Sequence, residues 1–163
     1  MEPAWIVSLY DYNAWANRHL LDLAERVEPA KLTQPIGMSF GSILDTLSHV
    51  CNAEGIWLSR WHGDSPRVAP KVGGLGLAEL RERLTARDQE IRTFVGGLTR
   101  AELDQPRDYT DFQGRSFTTP IWQLLLHVIN HGTHHRSEAS TMLTDLGTPP
   151  PPLDLIAFFR ERA

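Results

Sequence analysis

The sequence predicts an all-α protein, a four-helix bundle with long connections, and three observations carry that prediction. Apolar residues recur at spacings of three and four along four long segments. Runs rich in Gly and Pro separate those segments. Strand-like alternation is confined to one short stretch, residues 108–119. With 163 residues the chain fits a single domain, residues 1–163.

The first helix runs from about Pro3 to Arg26 and sets Trp5, Leu9, Tyr12, Ala16, Leu20 and Leu23 on one face. The run KLTQPIGMSFGS breaks it with Pro35, Gly37 and Gly41, after which Ser42 caps a second helix to about His62. HGDSPRVAPKVGGLG is a long connection. A third helix, about Leu77 to Val95, sets Leu77, Leu80, Leu84, Ile91 and Phe94 against a face of Arg, Glu and Asp. In DYTDFQGRSFTT, Tyr109, Asp111 and Gln113 alternate around Gly114, which reads as a short hairpin-like loop before the fourth helix. Pro120 suits the first turn of that helix, and the apolar-rich run from Ile121 to Leu146 ends at Gly147, ahead of four prolines. LDLIAFFRERA is apolar enough to pack back on the body as a short C-terminal helix.

Composition narrows the function. A hydrophobic fraction of 41% and a charged fraction of 22% are those of a soluble globular protein. A net charge of -4 with no basic run argues against nucleic acid as a partner, because phosphate neutralisation needs clustered Lys and Arg. No apolar stretch approaches the roughly 20 residues of a membrane span, so no membrane partner is expected. The single cysteine, Cys51, reads as a small buried apolar side chain, and the acidic start lacks the pattern of a secretory signal. Together these place the protein in the cytoplasm.

Chemistry is concentrated in HVINHGTHHRSE, residues 127–138, which holds four of the chain's seven histidines. Residues four apart on a helix lie about 40° apart around the axis and roughly 6 Å along it, so two imidazoles at that spacing can aim at one point. His131 and His135 have that spacing, and so do His127 and His131; periodicity does not choose between the pairs. A zinc-like ion needs a third ligand from another helix. His49 offers it, from the boundary between the polar arc of the second helix, with Asp45, Ser48, Asn52, Gly55 and Ser59, and its apolar side. The bland reading of the same residues is a set of histidines satisfied by hydrogen bonds. Glu54, within the apolar arc of Leu47, Val50, Trp57 and Trp61, needs a buried partner, Arg136 or another buried donor, and a structural ion pair is expected before a catalytic role.

Four stretches in this order, YDYNAWANRHLLD, LSHVCNAEGIWLSRWHG, LLLHVINHGTHHRSE and LDLIAFFRE, make the chain resemble the DinB/YfiT-like metalloenzyme superfamily, which is unrelated to the DNA polymerase that shares the DinB name. The fourth-helix motif, His-x3-His-Arg after Asn130, is the specific one. The resemblance implies a four-helix bundle holding a divalent ion with one histidine of the second helix and two of the fourth, here His49, His131 and His135. Zinc or nickel is the ion it implies first, with iron, copper or manganese as the further options. His127 then becomes a packing or supporting histidine, and His134 points about 100° away from His135. His19 and His62 read as ordinary surface or helix-end residues. Ser137 and Glu138 depart from the Gly-Gln that many relatives carry. Glu138 projects within about 20° of His131, where it can orient a ligand imidazole or reach the ion; the alternative is a solvated carboxylate.

Three neutral nitrogens leave positions open on a divalent ion. The resemblance implies use of a low-molecular-weight thiol, such as bacillithiol or mycothiol, whose pKa the ion lowers so that the thiolate attacks. The leading expectation is thus a metal-dependent thiol S-transferase in detoxification or stress response, with Tyr12, Trp57 and Trp61 as candidates to line an apolar pocket for a small-molecule substrate; the alternative for the two tryptophans, and the one their size favours, is the core. One alternative is a metal-dependent hydrolase with Glu138 or Glu54 as base. Another is a non-catalytic metal or stress-ligand binding protein whose ion staples the bundle. A homodimer is implied by the resemblance alone.

Overall fold

The computed structural model of the chain describes residues 2–37 and 39–163; Met1 and Met38 lie outside the described residues. The elements are α1 (Pro3–Ala24), α2 (Pro29–Leu32), α3 (Ile43–Trp61), α4 (Leu77–Gly96), α5 (Arg100–Asp104), β1 (Pro106–Thr110), β2 (Ser116–Pro120), α6 (Ile121–Asp145) and α7 (Leu155–Glu161). The long helices α1, α3, α4 and α6 pack as the bundle, with α3 against α6 and α1 against both α4 and α6.

Local chemistry sets the ends of these helices. The Ser42 hydroxyl accepts the Asp45 amide at 3.1 Å and caps α3. Gly147, at φ 79°, takes the left-handed conformation that stops α6 at low steric cost. Pro120 differs from expectation: it is the last residue of β2 and caps α6 from outside instead of entering its first turn. The two single-turn helices α2 and α5 went unforeseen, being too short for a periodic signal. Thr99 and Glu102 form a capping box on α5 that is legible afterwards as T-x-x-E.

The expected hairpin-like loop is a true antiparallel pair, with Tyr109 opposite Phe117 and Gly114 at φ 79° in the turn. It packs against α3 and α6 at the end of the bundle where α3 finishes and α6 begins. The closing helix α7 lies on α1: Phe158, 2% exposed, sits on Tyr12 and Trp15, and the Tyr12 hydroxyl donates to the Leu153 carbonyl at 2.9 Å.

A polar layer crosses the core. One apolar cluster gathers Leu20, Leu47, Leu84 and Met142; a second gathers Tyr10, Trp61, Ile91 and Leu125. Between them in sequence on each helix fall Asn13 and Asn17, Glu54, Asp88, and Arg136. Oε1 of Glu54 accepts from the Asn13 and Asn17 amides at 2.7 and 3.3 Å, while Nη1 of Arg136 donates to the oxygens of the same asparagines at 2.6 and 3.1 Å. Glu54 thus has other buried donors, Asn13 and Asn17, as its direct partners, and Arg136 reaches it through them instead of by a direct ion pair. Gly132 makes room for this layer, since a Cβ there would meet Arg136 Nη1 at 2.7 Å and Asn13 Oδ1 at 3.0 Å.

Candidate metal centre

His49 stands in the second turn of α3, and His131 and His135 stand four residues apart in the middle of α6, the helix that packs against it. The described residues bring these three together as one group whose ring nitrogens lie within 4.8 Å of one another. His49 Nε2 lies 3.1 Å from His131 Nε2, and ring centroids within the trio are 4.5 to 5.0 Å apart. Imidazole lone pairs at such a distance repel unless a proton or a cation lies between them.

The donor set fits a divalent ion. Nitrogens bound tetrahedrally at about 2.0–2.1 Å lie about 3.3 Å apart, close to the observed His49–His131 spacing. A metal also needs neutral imidazoles. Burial first, and then the neighbouring His135, hold both His49 and His131 down at about 4, so both rings carry free lone pairs at neutral pH.

Glu138 supports the cage through His135. Its Oε2 lies 2.8 Å from His135 Nδ1, which leaves Nε2 as the free nitrogen of that ring. The Ser39 hydroxyl donates to Oε1 of the same carboxylate at 2.6 Å. Partial burial raises the Glu138 pKa, but the hydrogen bonds from Ser39 and His135 outweigh it and hold the carboxyl below its ordinary value. Helical projection set Glu138 beside His131; its contact is with His135, three residues earlier, because the side chain leans back along the helix. The second possible metal group, His134, His135 and Glu138, reuses this carboxylate, and its His134 is a surface side chain, 67% exposed.

Phe40 closes one wall, stacked on His49 at 3.9 Å and edge-on to His135 at 5.3 Å. Sequence reading missed Ser39 and Phe40, because the loop before α3 announced itself only by its Pro and Gly. On the other side the seam between α3 and α6 continues toward the hairpin. The exposed His127 lies 5.9 Å from His131 and packs edge-on against Trp57 at 4.9 Å. Trp57 in turn meets Tyr109 of β1 at 5.2 Å.

Of the three residues expected to line a substrate pocket, only the half-buried Trp57 borders this seam. Trp61 is 1% exposed, packed between Tyr10 and Phe94, and twelve residues, or about 18 Å, along the helix from His49. Tyr12 is anchored beneath α7 and borders a different cleft, of about 590 Å3, with Ile129, Thr133 and Arg136. At about 100° per residue those α6 positions face nearly opposite to the histidines. Both are core residues with respect to the cage. Cys51 is buried, as expected, and burial pushes its thiol up to about 11, so it stays protonated.

Comparison with known proteins agrees with this architecture. The DinB family model matches residues 2–162. The chain is 29% identical over 157 residues to Protein DinB of Bacillus subtilis strain 168, covering 90% of this chain and 88% of the relative. A crystal structure of a DinB-like protein from Bacillus cereus shares the fold at a TM-score of 0.66 and 19% identity, covering 90% of this chain and 94% of that one.

Proposed function

The chain belongs to the DinB family, and on that premise we propose that it is a metal-dependent enzyme of small-molecule chemistry, a thiol-dependent S-transferase serving detoxification or stress response. His49, His131 and His135 hold the ion in this reading, zinc or nickel first. The observation that carries it is the three-nitrogen cage itself, built on two rigid helices, with His49 and His131 held neutral by burial. A divalent ion bound there supplies Lewis acidity and lowers the pKa of a thiol at the site.

The chain's own residues supply the rest. Glu138 fixes the His135 ring, Phe40 screens the cage from water, and His127 with Trp57 forms the approach from solvent. Among the described residues the group contains three donors, which leaves coordination open to a substrate; a structural staple takes four. Hydrolysis is the weaker reading because its base lacks freedom. Both oxygens of Glu138 are engaged, by Ser39 and His135, and Glu54 is 2% exposed within the polar layer.

No helix of the described residues is long and apolar enough to cross a membrane, and this reading places a homodimer in the cytoplasm. The test is a thiol-dependence screen: metal-loaded protein with bacillithiol or mycothiol against a panel of reactive electrophiles. Conjugates that require both thiol and metal, and vanish in H135A, support an S-transferase; turnover indifferent to thiol rejects it.

A further inference from the structure

We propose that Arg60 anchors an oxyanionic group of the substrate, a carboxylate or phosphate, at the hairpin end of the seam whose other end is the histidine cage. The inference rests on the reading of that cage as the substrate site. His49, Ala53, Trp57 and Arg60 follow one another at spacings of four, four and three on α3, so they share a face, and Arg60 lies roughly 16 Å along the axis from His49. The substrate is thus an elongated acidic molecule, or a thiol whose acidic tail lies away from its sulfur.

The Arg60 environment is that of a cation awaiting a partner. The residue is 5% exposed, yet no carboxylate among the described residues comes within ion-pair distance. A guanidinium carries five N–H donors. Here one of them reaches a protein acceptor, the Thr110 carbonyl, at a long 3.5 Å, and the buried Nε has none. Aromatic faces stand where acceptors are expected: the guanidinium carbon is 4.6 Å from the Trp57 ring centroid and 5.3 Å from those of Tyr109 and Phe112. These rings hold the charge by cation–π attraction and fix its orientation but accept no strong hydrogen bond. A buried charge left with open donors is unfavourable, and an oxyanion binding the planar fork offsets that penalty.

The cleft nearest to it reaches Arg60 only through two of its lining residues. Thr110 and Phe112, which both touch Arg60, also line a cleft of about 290 Å3 with Ser65, Arg67 and Gly114. The one acid in that lining, Asp111, is neutralised by Arg115 at 2.6 Å. Phe112 is 36% exposed and covers the guanidinium from the solvent side.

The test titrates succinate and, separately, inorganic phosphate into the metal-free and zinc-loaded protein while following the Arg60 Nε–H NMR signal, assigned by its absence in R60K. The expected result is a saturable shift of that signal, with R60Q weakening binding of the same anion by at least about tenfold, the worth of one charge-assisted hydrogen bond. An unmoved signal, or equal binding by R60Q, overturns the proposal. Should R60Q not fold, the wild-type titration decides by itself. The two arms separate carboxylate from phosphate. Failure of the cage reading shows instead as absent zinc uptake by wild-type protein in equilibrium dialysis, a result independent of the anion titration.

Discussion

Glu138 and His135 stand three residues apart on α6, with the carboxylate Oε2 2.8 Å from the imidazole Nδ1. The contact fixes the ring's rotation and assigns Nδ1 as the protonated nitrogen, so the remaining nitrogen presents its lone pair to the cage. Carboxylates in this position raise ligand basicity, and their loss weakens metal affinity about 10- to 100-fold. E138A is expected to do so for zinc, read by competition with a chromogenic chelator. Unchanged affinity would mean that Glu138 is a bystander.

The metal-free protein should lose stability in mild acid. His49 and His131 are held at about 4 in the folded state against an ordinary 6.5, by burial first and by the neighbouring His135 second. The unfolded chain therefore takes up these protons at higher pH than the folded one. Stability from this source is full above about pH 6.5 and is lost progressively as pH falls toward about 4. Urea melts across that range, compared with the H49Q/H131Q double variant, check it: the slope with pH should flatten in the variant.

Gly132→Ala probes the polar layer without touching a cage histidine. The new methyl would stand 2.7 Å from Arg136 Nη1 and 3.0 Å from Asn13 Oδ1, forcing apart the groups that neutralise Glu54. A destabilisation of about 1–3 kcal/mol is expected from overpacking, even though alanine is the better helix former. Thermal melts of metal-free protein read it directly. An unchanged or higher Tm would show that the layer relaxes at no cost.

Trp57 and Trp61 should separate function from stability. Trp61, wedged between Tyr10 and Phe94, is expected to cost about 3–5 kcal/mol on truncation to alanine and to leave zinc affinity intact while the protein stays folded. Trp57→Ala should cost less stability but disturb the seam, because Trp57 bears on His127, Tyr109 and Arg60 together. Paired measurements of Tm and of thiol-dependent turnover distinguish the two.

The bundle was legible because its signals are local and periodic: the Ser42 cap, the Gly147 stop and the Gly114 turn each sit where residue chemistry requires. The cage histidines were legible for a different reason. A spacing of four on one helix is visible in the sequence, but the choice between His127 and His135, and the summons of His49 from another helix, came through family resemblance. What stayed hidden depends on side chains from elements distant in the chain. Ser39 reaches Glu138 across ninety-nine residues, and Asn13 and Asn17 reach Arg136 across more. Trp57 and Trp61 look alike in sequence because both fall on the apolar side of α3; only the hairpin and α4 decide which borders the seam and which is core.

Metal content on removal of one ring tests the cage most directly. Wild-type protein, dialysed against zinc or nickel and then washed, is expected to retain about one equivalent per chain. H131A, folded by circular dichroism, should retain close to none, because the surviving pair comes from two different helices and lacks the nitrogen lying nearest His49. Equal retention by H131A and wild type, or no retention by either, would contradict a metal centre made of His49, His131 and His135.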